Sequence, residues 1–127
     1  MKIPFSRHYL PPAPVLRVSL ATPGEPAQLG PYEALVDTGA DGTFIPASFL
    51  EELDVPVAYA TNVRSHLGEN IRRVSVHRVD VLFDSIRLPG VDVVSDDWGN
   101  EIIIGRNVLN RLRLLLDGPD EAVELME

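Results

Sequence analysis

The sequence predicts a small, mostly β domain in which short strands form a barrel-like arrangement with one or two short helices. The length of 127 residues suits one compact domain with one core. The 11 prolines and 9 glycines are scattered along the chain and favour short strands joined by turns. Several segments alternate apolar and polar side chains, as half-buried strands do. We expect residues 1–127 to form a single domain.

The first half of the chain predicts three strands and one helix. Residues 1–14 end in a proline-rich stretch and form an extended lead-in, because proline disrupts a helix. Residues 47–53 place apolar side chains at helical spacing, with Pro46 at the start and Pro56 beyond the end, and they predict the first helix. The three predicted strands cover residues 15–20, 32–36 and 43–45.

The second half of the chain predicts more strands and a second short helix. Two strand-like runs, residues 57–65 and 71–83, lie on either side of residues 66–70 and predict a β-hairpin. Pro89 and Gly90 indicate a turn between two further short strands. The remaining predicted elements are strands at 86–88, 91–94 and 102–104, a helix at 106–112 and a hairpin over 112–126.

Composition and charge narrow the classes of function. A net charge of −8 argues against nucleic acid or an anionic membrane as a partner. The chain has no cysteine, which excludes disulfides, thiolate catalysis and a zinc–thiolate site. His8, His66 and His77 lack metal-ligand spacing, so we expect them to face solvent and expect no metal. No signal peptide or membrane span is recognisable, which predicts a cytoplasmic protein.

The segment with the clearest chemical meaning is Asp37-Thr38-Gly39, which directly follows an apolar strand. A carboxylate that activates water needs a rigid support, and a preceding strand supplies it. A glycine after the carboxylate lets backbone N–H groups approach its oxygens. The threonine hydroxyl both donates and accepts hydrogen bonds, so it can fix the loop against a neighbour. The tripeptide alone is a common strand-end turn, and its context gives it weight.

The sequence resembles the retroviral-type (retropepsin-like) aspartic proteases over most of its length. Residues 33–41 match the active-site strand and loop of that family, and residues 103–109 match its strand-to-helix segment behind the active site. The Leu67-Gly68 hairpin lies between them, where the family has its flap. The resemblance implies a closed acid-protease barrel with a flap hairpin, aspartic endopeptidase activity on polypeptides and no cofactor.

The resemblance also implies roles for individual residues. Asp37 would be the catalytic aspartate, Thr38 would hydrogen-bond between the loops of two subunits, and Gly39 would contact the substrate backbone. Arg106 would form an ion pair with Asp41 that braces the loop, although the sequence alone equally allows a helix-end charge. The residues expected to bind substrate are Asp41, Gly42, Phe44, Leu67, Gly68 and Ile103; Phe44 and Ile103 could equally be core residues.

A single Asp-Thr-Gly in one chain predicts a homodimer. Aspartic proteases use two neighbouring carboxylates that share one proton. One accepts a proton from the attacking water while the other donates a proton to the peptide carbonyl oxygen. The second carboxylate must then come from another copy of the chain across a two-fold axis. The C-terminal hairpin predicted at 112–126 could pair with its copy there. An alternative is an inactive module of the same fold that dimerises or binds peptides.

Overall fold

The computed structural model describes residues 1–64 and 70–127 and contains ten strands and two short helices in that part of the chain. The predicted Leu67 and Gly68 lie outside the described residues. The strands are β1 Lys2–Pro4, β2 Val15–Ala21, β3 Leu29–Val36, β4 Thr43–Pro46, β5 Val57–Arg64, β6 Ile71–Phe83, β7 Ile86–Asp96, β8 Ile102–Ile104, β9 Arg113–Asp117 and β10 Ala122–Met126. The helices are α1 Ala47–Leu53 and α2 Arg106–Leu109.

Seven strands form one sheet in the order β2-β3-β8-β4-β7-β6-β5. Strand β2, at one end of this order, also pairs with β6. This additional pairing closes the six strands from β2 to β6 in the sheet order into a barrel and leaves β5 outside it. Strand β5 pairs antiparallel with β6 and forms the predicted hairpin outside the closed part. The predicted mostly β, closed barrel with a hairpin and two short helices is therefore confirmed.

The barrel interior holds a continuous apolar core. Alternate residues of β2 and β3 point inward, which explains the period-two pattern of the sequence. Helix α1 adds Leu50 and Leu53 to the same cluster. Burial of this surface is the main favourable contribution to folding. The largest fully buried side chains are Phe83, Leu16, Leu20, Ile45, Ile102 and Ile104.

The turn predicted at Pro89 and Gly90 is wrong, because the Asp80 side chain accepts a hydrogen bond from the backbone there and the strand continues. The sequence indicates a turn at Pro89 and Gly90, but β7 runs unbroken from Ile86 to Asp96 and pairs with β6. The register shifts between Val79 and Val81 of β6, so Gly90 is accommodated as an irregularity in the strand pair. Its N–H donates to the Asp80 carboxylate at 2.8 Å.

Asp80 is a fully buried carboxylate that ties three segments together. It accepts hydrogen bonds from the N–H groups of Gly24 and Gly90 and from the guanidinium of Arg87, at 2.6 Å from Nη2. Arg87 also donates to the carbonyl of Glu25. Burial by itself raises the pKa of Asp80, but these hydrogen bonds and the Arg87 charge outweigh it and lower that pKa below its ordinary value. Asp80 is therefore charged and paired near neutral pH.

The chain ends form a separate three-stranded sheet in the order β1-β10-β9. The predicted C-terminal hairpin is present, with Leu125 opposite Leu114. The lead-in is only partly extended: its first residues form β1, which pairs with β10 through Ile3 and Val123. The chain then turns back, because Ser6 and Ala13 exchange backbone hydrogen bonds, so the expectation of an extended stretch over residues 1–14 is wrong for the segment between them. Strand β1 covers one edge of the hairpin, and β9 forms the other edge of this sheet.

Two further local expectations differ from the structure. The second helix ends at Leu109 and not at 112, because the next residues make i→i+3 turn bonds, such as Arg111 N–H to the Val108 carbonyl. His77 is buried, contrary to the expectation of solvent exposure: its ring bonds the carbonyl of Val55 and the hydroxyl of Ser75. Of the other two, His8 is exposed and His66 lies outside the described residues.

In the part of the chain that the structure describes, no helix is long and apolar enough to cross a membrane.

Candidate active site

Asp37 lies where β3 leaves the barrel wall. Its N–H donates to the carbonyl of Ile104 at 3.0 Å, so the end of β3 is held against β8. Its side-chain Oδ1 accepts the N–H of Gly39 at 2.9 Å, and its carbonyl accepts the N–H of Ala40. These bonds fix both the backbone and the carboxylate in the way expected from the strand and the following glycine. Asp37 itself is half-buried, whereas Thr38 and Gly39 are exposed.

Arg106 braces the loop that carries Asp37. Its Nη1 donates to the carbonyl of Thr38 at 2.9 Å, and its Nη2 forms an ion pair with Asp41. The N–H of Arg106 also donates to the carbonyl of Ala40 at 2.8 Å. The predicted pairing of Arg106 with Asp41 is confirmed, and the contact with Thr38 adds a second support that the sequence did not indicate.

A close backbone contact and a chain of hydrogen bonds lie directly under the loop. A Cβ at Gly105 would stand 2.0 Å from the carbonyl oxygen of Gly42, so only glycine fits there. The N–H of Gly105 donates to the hydroxyl of Thr43, which in turn donates to Oδ1 of Asn107 at 2.8 Å. The Asn107 amide donates to the carbonyl of Asp92 in β7. This chain of bonds connects the loop to β4, α2 and β7.

Phe44 and Ile103 are neighbours on the outward face of the sheet. Ile103 pairs with Leu35 on one side and with Phe44 on the other, and Phe44 pairs with Val94. All four side chains are half-buried and form an apolar row. Strand alternation places Asp37 on the same face as Leu35. The strand register identifies Leu35 and Val94 as members of this row, which local sequence patterns could not do.

The remaining predicted residues are placed less tightly. Gly42 lies between the loop and β4, and a Cβ there would meet Val94 at an ordinary 3.8 Å, so the space around residue 42 does not itself require a glycine. Leu67 and Gly68 lie outside the described residues, in the stretch of sequence between β5 and β6. Within residues 1–64 and 70–127, no group of three or more histidine or acidic residues could hold a metal ion.

The closed barrel, the β5–β6 hairpin and the braced Asp-Thr-Gly loop define a retropepsin-like aspartic protease fold. The family model described as gag-polyprotein putative aspartyl protease matches residues 28–111, and the chain belongs to that family. The matched segment contains the Asp37 loop, the hairpin and α2. No curated protein matches the chain at a significant level.

Solved structures are similar in fold at low sequence identity. A retropepsin-like aspartic protease from Rickettsia conorii has a TM-score of 0.69 at 12% identity, covering 98% of this chain and 88% of the other. The Simian Foamy Virus (mac) protease has a TM-score of 0.53 at 17% identity, covering 76% and 91%. The retroviral protease-like domain of Ddi1 from Leishmania major has a TM-score of 0.52 at 18% identity, covering 91% and 96%.

Proposed function

We propose that this protein is an aspartic endopeptidase that acts as a homodimer on extended polypeptides. The observation that carries the proposal is the Asp37 loop. One carboxylate is held by a strand end, by the Gly39 N–H and by the Arg106 brace, beside an apolar row on the same face. We further propose that residues 1–127 act as one domain.

The second carboxylate of the proposed dyad is Asp37 of another copy of the chain. Asp41, four residues after Asp37 in the same loop, is already paired with Arg106, so it is not available as a partner. A two-fold axis that brings two Asp37 loops together would also bring two exposed Thr38 side chains together. Thr38 would then hydrogen-bond between the loops.

The proposed reaction uses the two aspartates in opposite protonation states. The ionised carboxylate takes a proton from a water molecule, whose oxygen attacks the peptide carbonyl carbon. The protonated carboxyl donates its proton to the carbonyl oxygen, giving a tetrahedral intermediate. When the C–N bond breaks, the carboxyl that took the proton from water gives it to the leaving amine, and a hydroxyl of the intermediate returns its proton to the other carboxylate. Because the pair must hold one proton, the rate should be highest at mildly acidic pH.

Two further features support the dimer and the substrate class. Strand β9 is the free edge of the terminal sheet, and its Leu115 and Leu116 are 47% and 46% exposed, which suits pairing with a second copy. The row that contains Phe44 and Ile103 suits hydrophobic side chains beside the cut bond. Gly39 and Gly42 would contact the substrate backbone, and the Leu67-Gly68 hairpin would cover it.

The test is incubation of the purified protein with a peptide library between pH 4 and pH 8. Asp37→Asn keeps the shape of the side chain but removes its ionisation, so cleavage should disappear while the melting temperature stays unchanged. Asp84→Asn is the matched control, since Asp84 is an exposed turn residue far along the chain. If Asp37→Asn cleaves at the wild-type rate, catalysis lies elsewhere. Dimerisation without cleavage in the wild type would support the inactive binding module instead.

A further inference from the structure

A cavity of about 500 Å³ lies beside the start of β8, apart from the Asp37 loop. Strand β8 begins only at Ile102 and pairs with β3 from Ala34 onward, so the sheet has an opening beside Tyr32 and Glu33. The lead-in closes one side of this opening with His8 and Tyr9. Its wall includes His8, Tyr9, Tyr32, Glu33, Phe49 and Glu101.

Aromatic rings form much of the cavity wall. Tyr32 of β3 and Phe49 of α1 stack with their ring centroids 4.6 Å apart and their planes 15° from parallel. This contact bridges the opening before β8 and holds the two rings in place. Tyr9 supplies a third ring from the lead-in. Aromatic faces attract cations through their quadrupole, and guanidinium groups stack on them well.

The charged groups at the cavity are two carboxylates and one histidine. Glu33 uses Oε2 to accept both the Ser6 hydroxyl at 2.9 Å and the His8 ring at 3.1 Å. Glu101 uses Oε2 to accept the Tyr9 hydroxyl. Oε1 of each glutamate has no donor among the described residues. The described lining includes no lysine and no arginine, so its fixed charge is negative.

Tyr9 is an uncharged hydrogen-bond donor at the cavity and leaves the negative charge of Glu101 in place. Burial, the hydrogen bond to Glu101 and the negative charges of Glu101 and Glu33 raise the pKa of Tyr9 to about 12. The phenol therefore stays protonated near neutral pH and donates to Glu101. Glu101 is held in one orientation by this bond, with its other oxygen available to a second donor.

We propose that this cavity binds an arginine side chain of the polypeptide substrate, away from the cut bond. The guanidinium would contact the aromatic wall and donate to the free oxygens of Glu33 and Glu101. Arginine fits better than lysine because its planar group both stacks on rings and offers several donors in one plane. The net charge of −8 would favour the approach of such a basic segment.

The cavity is close enough to the Asp37 loop for one extended polypeptide to reach both. Glu33 lies in β3 four positions before Asp37, which directly follows the strand, and this separation corresponds to about 13 Å in extended backbone. An extended substrate covers that distance with about four residues. The inference rests on the proposed peptidase function and specifies the substrate as a peptide with arginine several residues from the cut.

Binding can be tested without any cleavage. The probe is N-acetyl-arginine-N-methylamide, titrated by calorimetry into the Asp37→Asn protein, with the corresponding lysine and citrulline compounds in parallel. The arginine probe should bind most tightly and citrulline least. Adding Glu101→Gln should weaken binding by roughly tenfold, since a charge-assisted hydrogen bond is lost. Glu33→Gln should weaken it similarly, and Phe49→Leu should weaken it by removing a ring.

Glu52→Gln is the matched control, because Glu52 is exposed on α1 and does not line the cavity. Equal binding of the arginine and citrulline probes, or no loss in Glu101→Gln and Glu33→Gln at an unchanged melting temperature, would overturn the inference. In the active protein, Glu101→Gln should raise KM for arginine-containing peptides with little change in kcat. If the probe binds but no peptide is cleaved, the proposed peptidase function is rejected and the arginine site still stands. If peptides are cleaved without a preference for arginine, the arginine site alone is rejected.

Discussion

Gly105 and Gly42 touch backbone to backbone beneath the Asp37 loop. A Cβ at Gly105 would lie 2.0 Å from the Gly42 carbonyl oxygen and 2.9 Å from that of Ala40, and no flexible side chain could move to make room. The contact lets the start of α2 lie directly under the loop, where Arg106 reaches Thr38 and Asp41. The position of the candidate catalytic carboxylate thus depends on a residue 68 positions away.

Gly105→Ala should therefore destabilise the protein by at least about 2 kcal/mol, because the loop and α2 must separate. The free energy of unfolding from urea denaturation measures this loss. Gly118→Ala is the matched control, since a Cβ at Gly118 would meet nothing within 4 Å. Equal stability of the two variants would show that the loop can shift without cost.

Arg106→Lys should reduce peptidase activity more than stability. A lysine ammonium cannot reach both the Thr38 carbonyl and the Asp41 carboxylate in the geometry of a planar guanidinium. The exposed ion pair contributes no more than about 1 kcal/mol to folding. A misplaced loop should lower kcat/KM by roughly tenfold or more. Arg111→Lys, at an exposed position outside the loop contacts, is the control and should keep wild-type kinetics.

Thr38→Ala should weaken the proposed dimer. The hydroxyl would be lost from the two-fold axis, where each copy contributes one. A lost hydrogen bond of about 1.4 kcal/mol corresponds to a tenfold higher dissociation constant, measurable by sedimentation equilibrium. Thr22→Ala serves as the control because Thr22 lies in the β2–β3 connection. An unchanged dissociation constant in Thr38→Ala would place the subunit contact elsewhere.

Asp80→Asn should destabilise the protein at neutral pH by on the order of 3 kcal/mol, because it leaves Arg87 beside a buried neutral group. The pKa of Asp80 is lower in the folded state than its ordinary value of 3.8, so the unfolded chain takes up its proton first as the pH falls. The stabilisation is therefore present above pH 3.8 and is lost below it.

The urea midpoints of wild type and Asp80→Asn should accordingly differ at pH 7 and converge as the pH falls below 3.8. The difference between the two proteins removes the contribution of the other carboxylates, which titrate in both. Asp84→Asn should show no such convergence, since it starts from wild-type stability. A constant gap between wild type and Asp80→Asn at every pH would mean that the effect is one of shape and not of charge.

Local sequence signals predicted much of this fold. Helix α1 has the predicted bounds of 47–53, because Pro46 and Pro56 mark its ends within a few residues. The strand that ends at Val36 and the loop after it were likewise predicted from neighbouring residues. These signals suffice where the deciding contacts lie nearby in the chain.

The features that were missed depend on distant partners. The turn signal at Gly90 is overridden by Asp80, and the burial of His77 follows from strand pairing and the Val55 carbonyl. The aromatic and acidic cavity joins Tyr9 to Glu101 across 92 residues. No spacing pattern within a window of the sequence could indicate such contacts.

The free edge of β9 has a consequence for solubility. An edge strand presents unpaired backbone donors and acceptors that any extended chain can use, so natural proteins usually keep such edges covered. Here the exposed Leu115 and Leu116 lie on that edge, while β1 shields the other side of the hairpin. A second copy would serve as the cover. Changes that weaken the proposed dimer would then also leave the edge open to disordered aggregation, linking the loss of assembly to precipitation.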